Sequence, residues 1–351
     1  MSSKFIITKR RLGTSGLRVS EICLGTMNFG GPTDETEAHR IIADAAANGV
    51  NYIDTADAYT EGRSEQITGR AIRANRHHWI LATKVANTLK DGDGRPLGGG
   101  LSRRWVMAAI DGSLKRLGLD HIDIYYTHKV DPLTPWADVV RTFGDLIRVG
   151  KIRYWGLSNV RAWHIAEIVH QCRIQNVAAP ITLQPYYNLF NRQPEVEVLP
   201  AAREYGIGVT TYSPVARGVL SGKYVPGSNA DPESRAGRGD KRMLETEWQP
   251  ENLRLAQLIG EHVAARGGSL VHFAVQWVLN NAAISSVIVG PRTFEQWRGY
   301  VDHATYKWDG ADEALINRLV ATGHPSVPGY SDPQYTIEGR FPINTTASAR
   351  S

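Results

Sequence analysis

Asn51-Tyr52-Ile53-Asp54-Thr55-Ala56-Asp57-Ala58-Tyr59 is the stretch on which the fold turns. A short apolar run stops on a carboxylate. Just upstream, Ala38, Ile41, Ile42, Ala45 and Ala46 recur at i, i+3, i+4, i+7 and i+8, and Gly49 stands at the C′ position of that helical pattern. The passage therefore reads as amphipathic helix, glycine stop, buried strand, charged strand end. The same grammar repeats along the chain. Strands are predicted at Glu21–Gly25, Asn51–Asp54, Trp79–Thr83, Ile122–Thr127, Arg153–Ser158, Ile181–Gln184, Gly208–Tyr212 and Ser286–Val289. Helical patterns lie between them, among them Ile165, Ile168, Val169 and Cys172, and Gly118 and Gly150 close two of the helices. Strand–helix alternation predicts parallel strands with crossover helices. Eight such strands predict an α/β protein closed into a (β/α)8 TIM barrel.

The competing doubly wound dinucleotide fold needs a glycine fingerprint after its first strand, and Gly25-Thr26-Met27-Asn28-Phe29-Gly30-Gly31 lacks that spacing. Gly218-Val219-Leu220-Ser221-Gly222-Lys223-Tyr224 is one residue short of a P-loop and carries Tyr224 where a magnesium-binding hydroxyl belongs. With 351 residues, 42% of them hydrophobic, one barrel domain over residues 1–351 accounts for the length, with about 324–351 as a C-terminal tail. The net charge of +5 comes without any run of five basic residues, which disfavours nucleic acid and anionic membranes as partners. Cys23 and Cys172 sit in apolar patterns and read as buried thiols. No stretch resembles a signal peptide or a membrane span, so a cytoplasmic protein is expected, as a monomer or small homo-oligomer.

Charges at the ends of apolar strands need a reason. Asp54, Lys84 and His128 end the second, third and fourth strands, which are neighbours in a barrel and share one mouth. A single such residue is more simply a surface group at a loop start. Three titratable groups on three adjacent strands make a site the better reading. Tyr59, five residues past Asp54, joins them. Free tyrosine has a pKa of about 10, and a nearby ammonium would lower it. Lys84 can supply that ammonium, Asp54 can orient it, and His128 can hydrogen-bond a substrate oxygen. Tyr59 is then general acid in reduction and general base in oxidation. No side chain donates hydride, so a cofactor must. A metal-dependent hydrolase using Asp54, Asp57 and His128 is disfavoured because Lys84 would repel the ion, so no metal is expected.

Ile53-Asp54-Thr55-Ala56-Asp57-Ala58-Tyr59, Ala82-Thr83-Lys84, Tyr126-Thr127-His128, the stretch Gly150–Asn159 ending in Leu157-Ser158-Asn159, and Tyr212-Ser213-Pro214 with Gly218, Leu220, Gly222 and Lys223 together resemble the aldo-keto reductase family. The resemblance runs from about Arg11 to Tyr300. It implies a barrel with an N-terminal β-hairpin at Leu12–Val19 and a nicotinamide dinucleotide bound extended. Carried over by position, Gly25, Thr26 and Met27 would lie near the nicotinamide ribose. Ser158, Asn159 and Gln184 would hold the carboxamide, and Tyr212 would stack on the ring. Ser213, Pro214, Val215, Arg217, Gly218, Leu220, Gly222 and Lys223 would line the pyrophosphate, and Gly290, Arg292 and Gln296 the adenosine phosphate. The family usually has Glu then Asn near the adenine where this chain has Gly299 and Tyr300. Tyr300 would stack on the base instead. The guanidinium fork of Arg292 suits a 2′-phosphate and so NADPH/NADP+.

Met27, Phe29, Asn87 and Tyr187, with Trp248, Tyr330 and Tyr335 from long loops, would line the substrate pocket beside Tyr59. Large rings there suggest bulky alicyclic or aromatic carbonyls, such as polyoxygenated natural products or toxins. The simpler alternative is that the loop aromatics only pack their loops down. Some members of the resembled family bind NADPH as non-catalytic, channel-associated regulatory subunits, and that alternative stays open.

Overall fold

The computed structural model describes residues 7–90 and 96–335. The chain enters through an antiparallel hairpin, β1 (Lys9–Arg11) and β2 (Arg18–Ser20), in register Arg10 to Val19. The sequence placed this hairpin at Leu12–Val19. Those residues are mostly its turn, closed by the Leu12 N–H donating to Leu17 O, and the paired strands lie on either side. Leu12 and Val19 are fully buried with Cys23, Tyr52, Ala82, Ile124, Tyr126 and Ile288, so the hairpin plugs one end of the barrel. The turn fits tightly. A Cβ on Gly208 would come within 2.5 Å of the Gly13 nitrogen, and Gly13 itself has φ +57.

The barrel strands are β3 (Ile22–Gly25), β4 (Tyr52–Asp54), β5 (Ile80–Val85), β8 (Ile122–Thr127), β9 (Ile152–Ser158), β10 (Thr182–Gln184), β11 (Gly208–Tyr212) and β12 (Ile284–Val289). They pair in that order, all parallel, and β12 closes on β3. All eight predicted strands are present, with ends shifted by a residue or two. A small antiparallel pair, β6 (Leu89–Lys90) and β7 (Pro96–Gly98), interrupts the loop after β5.

The flanking helices are α1 (Glu35–Ala47), α2 (Arg63–Ile72), α3 (Arg103–Leu117), α4 (Trp136–Arg148), α5 (Ala162–Gln175), α6 (Val198–Glu204), α7 (Lys241–Glu245), α8 (Pro250–Ala265), α9 (Leu270–Leu279), α10 (Phe294–Val301) and α11 (Gly310–Leu319). Among the described residues no helix is long and apolar enough to cross a membrane. Their starts follow ordinary capping chemistry. Asp34 accepts from the Glu37 N–H, Ser102 from Trp105 and Thr293 from Gln296. Gly118, at φ +67, ends α3 in the left-handed conformation that favours glycine. Both cysteines are buried free thiols.

Inside the barrel, the Tyr52 and Tyr126 hydroxyls lie 2.7 Å apart, and the Tyr126 hydroxyl lies 3.1 Å from Thr182 Oγ1. The Tyr126 ring fills the space where Gly156 would carry a Cβ, which would approach it to 2.5 Å. This packed floor leaves only the C-terminal ends of the strands open to a ligand, and the long loops gather there. The loop after β11 is more ordered than its Gly/Pro-rich sequence suggests, since it carries α7 and packs Met243 into the core.

Candidate active site

β4 and β5 are paired with Asp54 opposite Ala82, and β5 and β8 with Lys84 opposite Tyr126. Strand pleating then aims Asp54 and Lys84 into the same interior. Lys84 Nζ donates to Asp54 Oδ2 at 2.5 Å, to Thr55 O at 2.8 Å and to the Tyr59 hydroxyl at 3.0 Å. All three ammonium donors are used, and the Lys84 side chain is wholly inaccessible to solvent. The other oxygen of Asp54 accepts from Gln184 Nε2 at 3.0 Å. The carboxylate is thereby held from two strands and faces Lys84 in one geometry.

Burial works against the Lys84 ammonium, but Asp54 and Tyr59 outweigh it and hold its pKa above the ordinary value. For Tyr59 the balance differs from the sequence expectation. Burial raises the phenol pKa, and the Lys84 charge opposes this without overcoming it. The net shift is upward because a phenolate pays the full desolvation cost in so enclosed a place, whereas the Lys84 charge is shared with Asp54. Tyr59 is therefore held as an acid.

His128 follows β8, and its ring lies edge-on to Tyr59 with centroids 5.8 Å apart. Burial, then Lys84 and Lys129, push its pKa well below the usual histidine value, so the ring is neutral. Asn87 Nδ2 donates to His128 Nδ1 at 2.9 Å. With Nδ1 accepting, Nε2 carries the proton and is the donor that a substrate oxygen can meet. Sequence reading placed Asn87 among the substrate contacts. The structure places its amide against the histidine ring.

Around this core lie the other residues singled out from the sequence. Ser158 Oγ donates to Gln184 O, and Asn159 Nδ2 donates to His128 O and to Ser158 Oγ. The Tyr212 hydroxyl donates to Asn159 Oδ1 at 2.8 Å, and its ring lies beside that of Tyr186, 5.6 Å between centroids. Gly25 pairs with Asp54 across β3 and β4, Met27 is exposed at the rim, and Thr26 is buried against Ser64 at the start of α2.

Two of the expected pocket residues point elsewhere. Phe29 is fully buried in the core, and Tyr187 stacks on Trp277 and donates to Glu195. Tyr186, which shares the face of Gln184 two residues earlier, is the one that turns to the mouth. The two-residue strand period was the available signal. Trp248 packs against Tyr224, and the Tyr330 hydroxyl donates to Glu245 O, so both hold down the loop. Tyr335 lies within electrostatic reach of Tyr59 and Arg217.

The loop after β11 is contorted. Ser213, Ala216 and Arg217 have φ of 60, 46 and 51, and Gly218 and Gly222 are also left-handed. Among the described residues, all non-glycine residues with positive φ except Asn176 lie at this end of the barrel, at Thr60, Glu61, Ala86, Asn159 and this loop. Such conformations cost energy and gather where a fold is shaped for function. Arg217 Nε lies 2.9 Å from Glu247 Oε2, and Tyr186 donates to the other Glu247 oxygen. Arg242 pairs with both oxygens of Asp332, at 3.0 and 2.7 Å, which ties the loop to the C-terminal segment. Nothing in the sequence marked Glu247 or Asp332, because a carboxylate in a polar loop looks the same whether buried or solvated. Of the C-terminal tail, residues 336–351 lie outside the described residues.

Further along the same rim, the Arg292 N–H donates to Gln296 Oε1. The Arg292 guanidinium meets the Glu233 carbonyl and, among the described residues, has no carboxylate partner. A Cβ on Gly222 would meet nothing within 4 Å, and one on Gly290 only Asn28 at 3.9 Å, so the backbone at both places is open to a ligand. A contorted glycine loop with open backbone, an uncommitted arginine and an amide cluster at Asn159 and Gln184 fit a phosphorylated dinucleotide. Among the described residues no cluster of three or more His, Cys, Asp or Glu could hold a metal ion.

The aldo/keto reductase family model matches residues 21–319. The chain belongs to the aldo/keto reductase family. It is thereby an oxidoreductase. An uncharacterized oxidoreductase, YrpG of Bacillus subtilis, is 39% identical over 318 residues, covering 88% of this chain and 94% of that protein. A probable voltage-gated potassium channel subunit beta of Oryza sativa is 37% identical, covering 80% of this chain and 86% of the relative. Among solved structures, the holo form of aldo-keto reductase AKR11C1 from Bacillus halodurans superposes with a TM-score of 0.73. It is 30% identical and covers 89% of this chain and 96% of that one.

Proposed function

We propose that this aldo/keto reductase is an NADPH-dependent carbonyl reductase that runs in reverse as a secondary-alcohol dehydrogenase. The observation that carries the reading is the Tyr59 hydroxyl 3.0 Å from Lys84 Nζ, itself held by Asp54 at 2.5 Å. When bound, the nicotinamide dinucleotide supplies the hydride. Everything else falls to side chains. Tyr59, kept protonated by burial, gives its proton to the developing alkoxide, and His128 Nε2–H hydrogen-bonds the same oxygen. Lys84 then stabilises the phenolate left behind, and Asp54 with Gln184 fixes Lys84 in place.

Ser158, Asn159 and the free oxygen of Gln184 would hold the carboxamide, with Tyr212 beside the ring. Residues 213–223 would take the pyrophosphate, and Arg292 with Gln296 the 2′-phosphate, with Tyr300 by the adenine. The pocket would be formed by Met27, Tyr59, Tyr186 and Tyr335, a largely aromatic set suited to bulky alicyclic or aromatic ketones, polyoxygenated natural products among them. The test is kcat/KM for bulky cyclic ketones against short aliphatic aldehydes, with NADPH and with NADH. A preference for short aldehydes overturns the substrate class, and a preference for NADH overturns the cofactor. The potassium channel subunit relatives are compatible with a second reading, a non-catalytic NADPH-binding regulatory subunit. NADPH binding without turnover of any carbonyl in the panel would select it.

A further inference from the structure

Outside the barrel wall, behind Lys84, lies a second buried ionic cluster that the reaction as described does not use. Thr83, the neighbour of Lys84, points outward and donates to Glu65 Oε1 at 2.6 Å. Glu65, on α2, is wholly buried, and its other oxygen accepts from Arg116 Nε at 2.6 Å, an arm reaching up from α3. The stem of the same arginine fills the space beneath the turn that carries Tyr59. A Cβ on Gly62 would meet Arg116 Cδ at 2.6 Å, and Gly62 sits at φ +84.

A second carboxyl shares this space. Asp57 is 1% exposed, and among the described residues its carboxyl meets the Ala58 N–H but no side-chain donor. Its own N–H donates to Lys84 O at 3.3 Å, so its backbone is fastened to β5. The charges facing it are Glu65 from α2, Arg116 from α3 and Lys84 from β5, together with the Ala58 N–H, and the buried Tyr125 hydroxyl lies nearby on β8. Among the described residues, one free-standing cation thus serves two buried carboxyls, since Lys84 is fully committed on the other face.

We infer that Glu65 and Asp57 compete for Arg116, and that the hold of Glu65 on this arginine keeps the Tyr59 turn and the Lys84 strand in register for proton transfer. Glu65 is the positioning residue and Asp57 its competitor; neither touches substrate or cofactor. While Glu65 holds the guanidinium, Asp57 stays neutral. Burial and the Glu65 charge push its carboxyl up to about 8, against the pull of Arg116, the Ala58 N–H and Lys84. If Glu65 loses its charge, Arg116 is left to Asp57. Asp57 ionises and turns toward it, and Tyr59, two residues on, moves with the chain. Displacements of about 1 Å at a reacting group can cost roughly 100-fold in rate.

The catalytic part of this inference rests on the reductase reading above. The test is a double-mutant cycle of Asp57→Asn, Glu65→Gln and both together, read by carbonyl-reduction kcat, NADPH affinity and melting temperature. Asp57→Asn is expected to be near parental at neutral pH. Glu65→Gln should lose about 10- to 100-fold in kcat with little change in NADPH affinity, and adding Asp57→Asn should restore most of it. Failure of that rescue, or full activity of Glu65→Gln, overturns the inference. If Glu65→Gln does not fold, the parent decides. Its kcat should begin to fall near pH 8, and Asp57→Asn should remove that limb while leaving the later one due to Tyr59. Superimposable profiles overturn the inference.

Melting needs no activity. A carboxyl whose folded pKa is raised to about 8 stabilises less as pH rises from its unfolded value of about 4, so Asp57→Asn should raise the parental Tm, increasingly up to about pH 8. In the Glu65→Gln background the same change removes an ion pair and should lower Tm. The same sign in both backgrounds overturns the competition. A parent without any turnover would instead overturn the reductase reading and leave the melting cycle to decide this one.

Discussion

Thr83 and Lys84 are neighbours on one strand, yet they anchor two different electrostatic worlds. On the inner face, Lys84, Asp54, Tyr59 and Gln184 form a closed set in which each charge is met and every ammonium proton is used. On the outer face, Thr83 and Arg116 both bond Glu65, and a second carboxyl, Asp57, is left over. Both are buried, and a buried charge is tolerated only when its partners repay the lost hydration. The inner set is balanced, so it holds one geometry and can tune a proton donor. The outer set is short of one cation, so its geometry depends on which carboxyl owns it.

Removing the proton donor breaks the inner set most directly. Tyr59→Phe takes away the hydroxyl and leaves the ring packing. Turnover should fall by about 10²–10⁴-fold, the range for a general acid, while NADPH titration by fluorescence shows near-parental affinity. Normal kcat in this variant would remove Tyr59 from the chemistry.

Lys84→Met tests whether the inner set is balanced. It leaves Asp54 buried without its cation, and breaking a buried pair typically costs about 3–5 kcal/mol. Chemical denaturation should register that loss. Turnover should be abolished, whereas Asp54→Asn only weakens it, because Lys84 keeps Thr55 O and Tyr59. In any residual activity the alkaline limb should move up. Burial already raises the Tyr59 pKa, and Lys84 is what opposes it. An unchanged pH profile would show that the Lys84–Tyr59 contact does not tune the phenol.

The two faces also differ in how they could be read from sequence. Asp54, Lys84 and His128 stand where apolar strands end, and a charge in that position announces itself. The barrel was legible for the same reason: eight short apolar runs alternate with helical patterns whose glycine stops are local features. Glu65 and Arg116 lie in helices where charged residues are usual, and periodicity cannot tell a solvated glutamate from one turned onto the barrel wall. Only the three-dimensional meeting of α2, α3 and β5 does so. Tyr186 and Tyr187 are a different case. The resemblance already turned Gln184 to the ligand, and the two-residue period counted from it would have picked Tyr186 over Tyr187. The hairpin, which the resemblance put at Leu12–Val19, has its first strand at Lys9–Arg11, a polar stretch with no apolar alternation to mark it.

At the rim, Arg292 extends the comparison to a cation with no carboxylate partner among the described residues. A guanidinium left uncommitted in the protein is available to a phosphate. Arg292→Ala should weaken NADPH by about 1.5–3 kcal/mol, the range for hydrogen bonds to a charged group, and barely alter NADH. Paired titrations with the two nucleotides check this, and equal losses would show that Arg292 does not read the 2′-phosphate.

The smallest effect is expected at Asn87, where the inner set is joined by a neutral hydrogen bond rather than a charge. Its amide donates to His128 Nδ1 and so leaves the proton on Nε2. Asn87→Leu keeps the volume and removes the donor. The histidine stays neutral, because burial and the charges of Lys84 and Lys129 depress its pKa whichever nitrogen is protonated. What changes is the tautomer population. A fraction of molecules then presents a bare Nε2 to the substrate oxygen, and that fraction cannot donate. A neutral hydrogen bond contributes about 0.5–1.5 kcal/mol, so kcat should fall by no more than about tenfold. The pH profile should keep its shape, since no ionisation has moved. Asn87→Asp makes the complementary case. A carboxylate accepts from Nδ1–H, which selects the tautomer with bare Nε2, and it should cost more than the leucine. If the two substitutions are indistinguishable in kcat, Asn87 acts by packing alone, and the tautomer of His128 is set elsewhere.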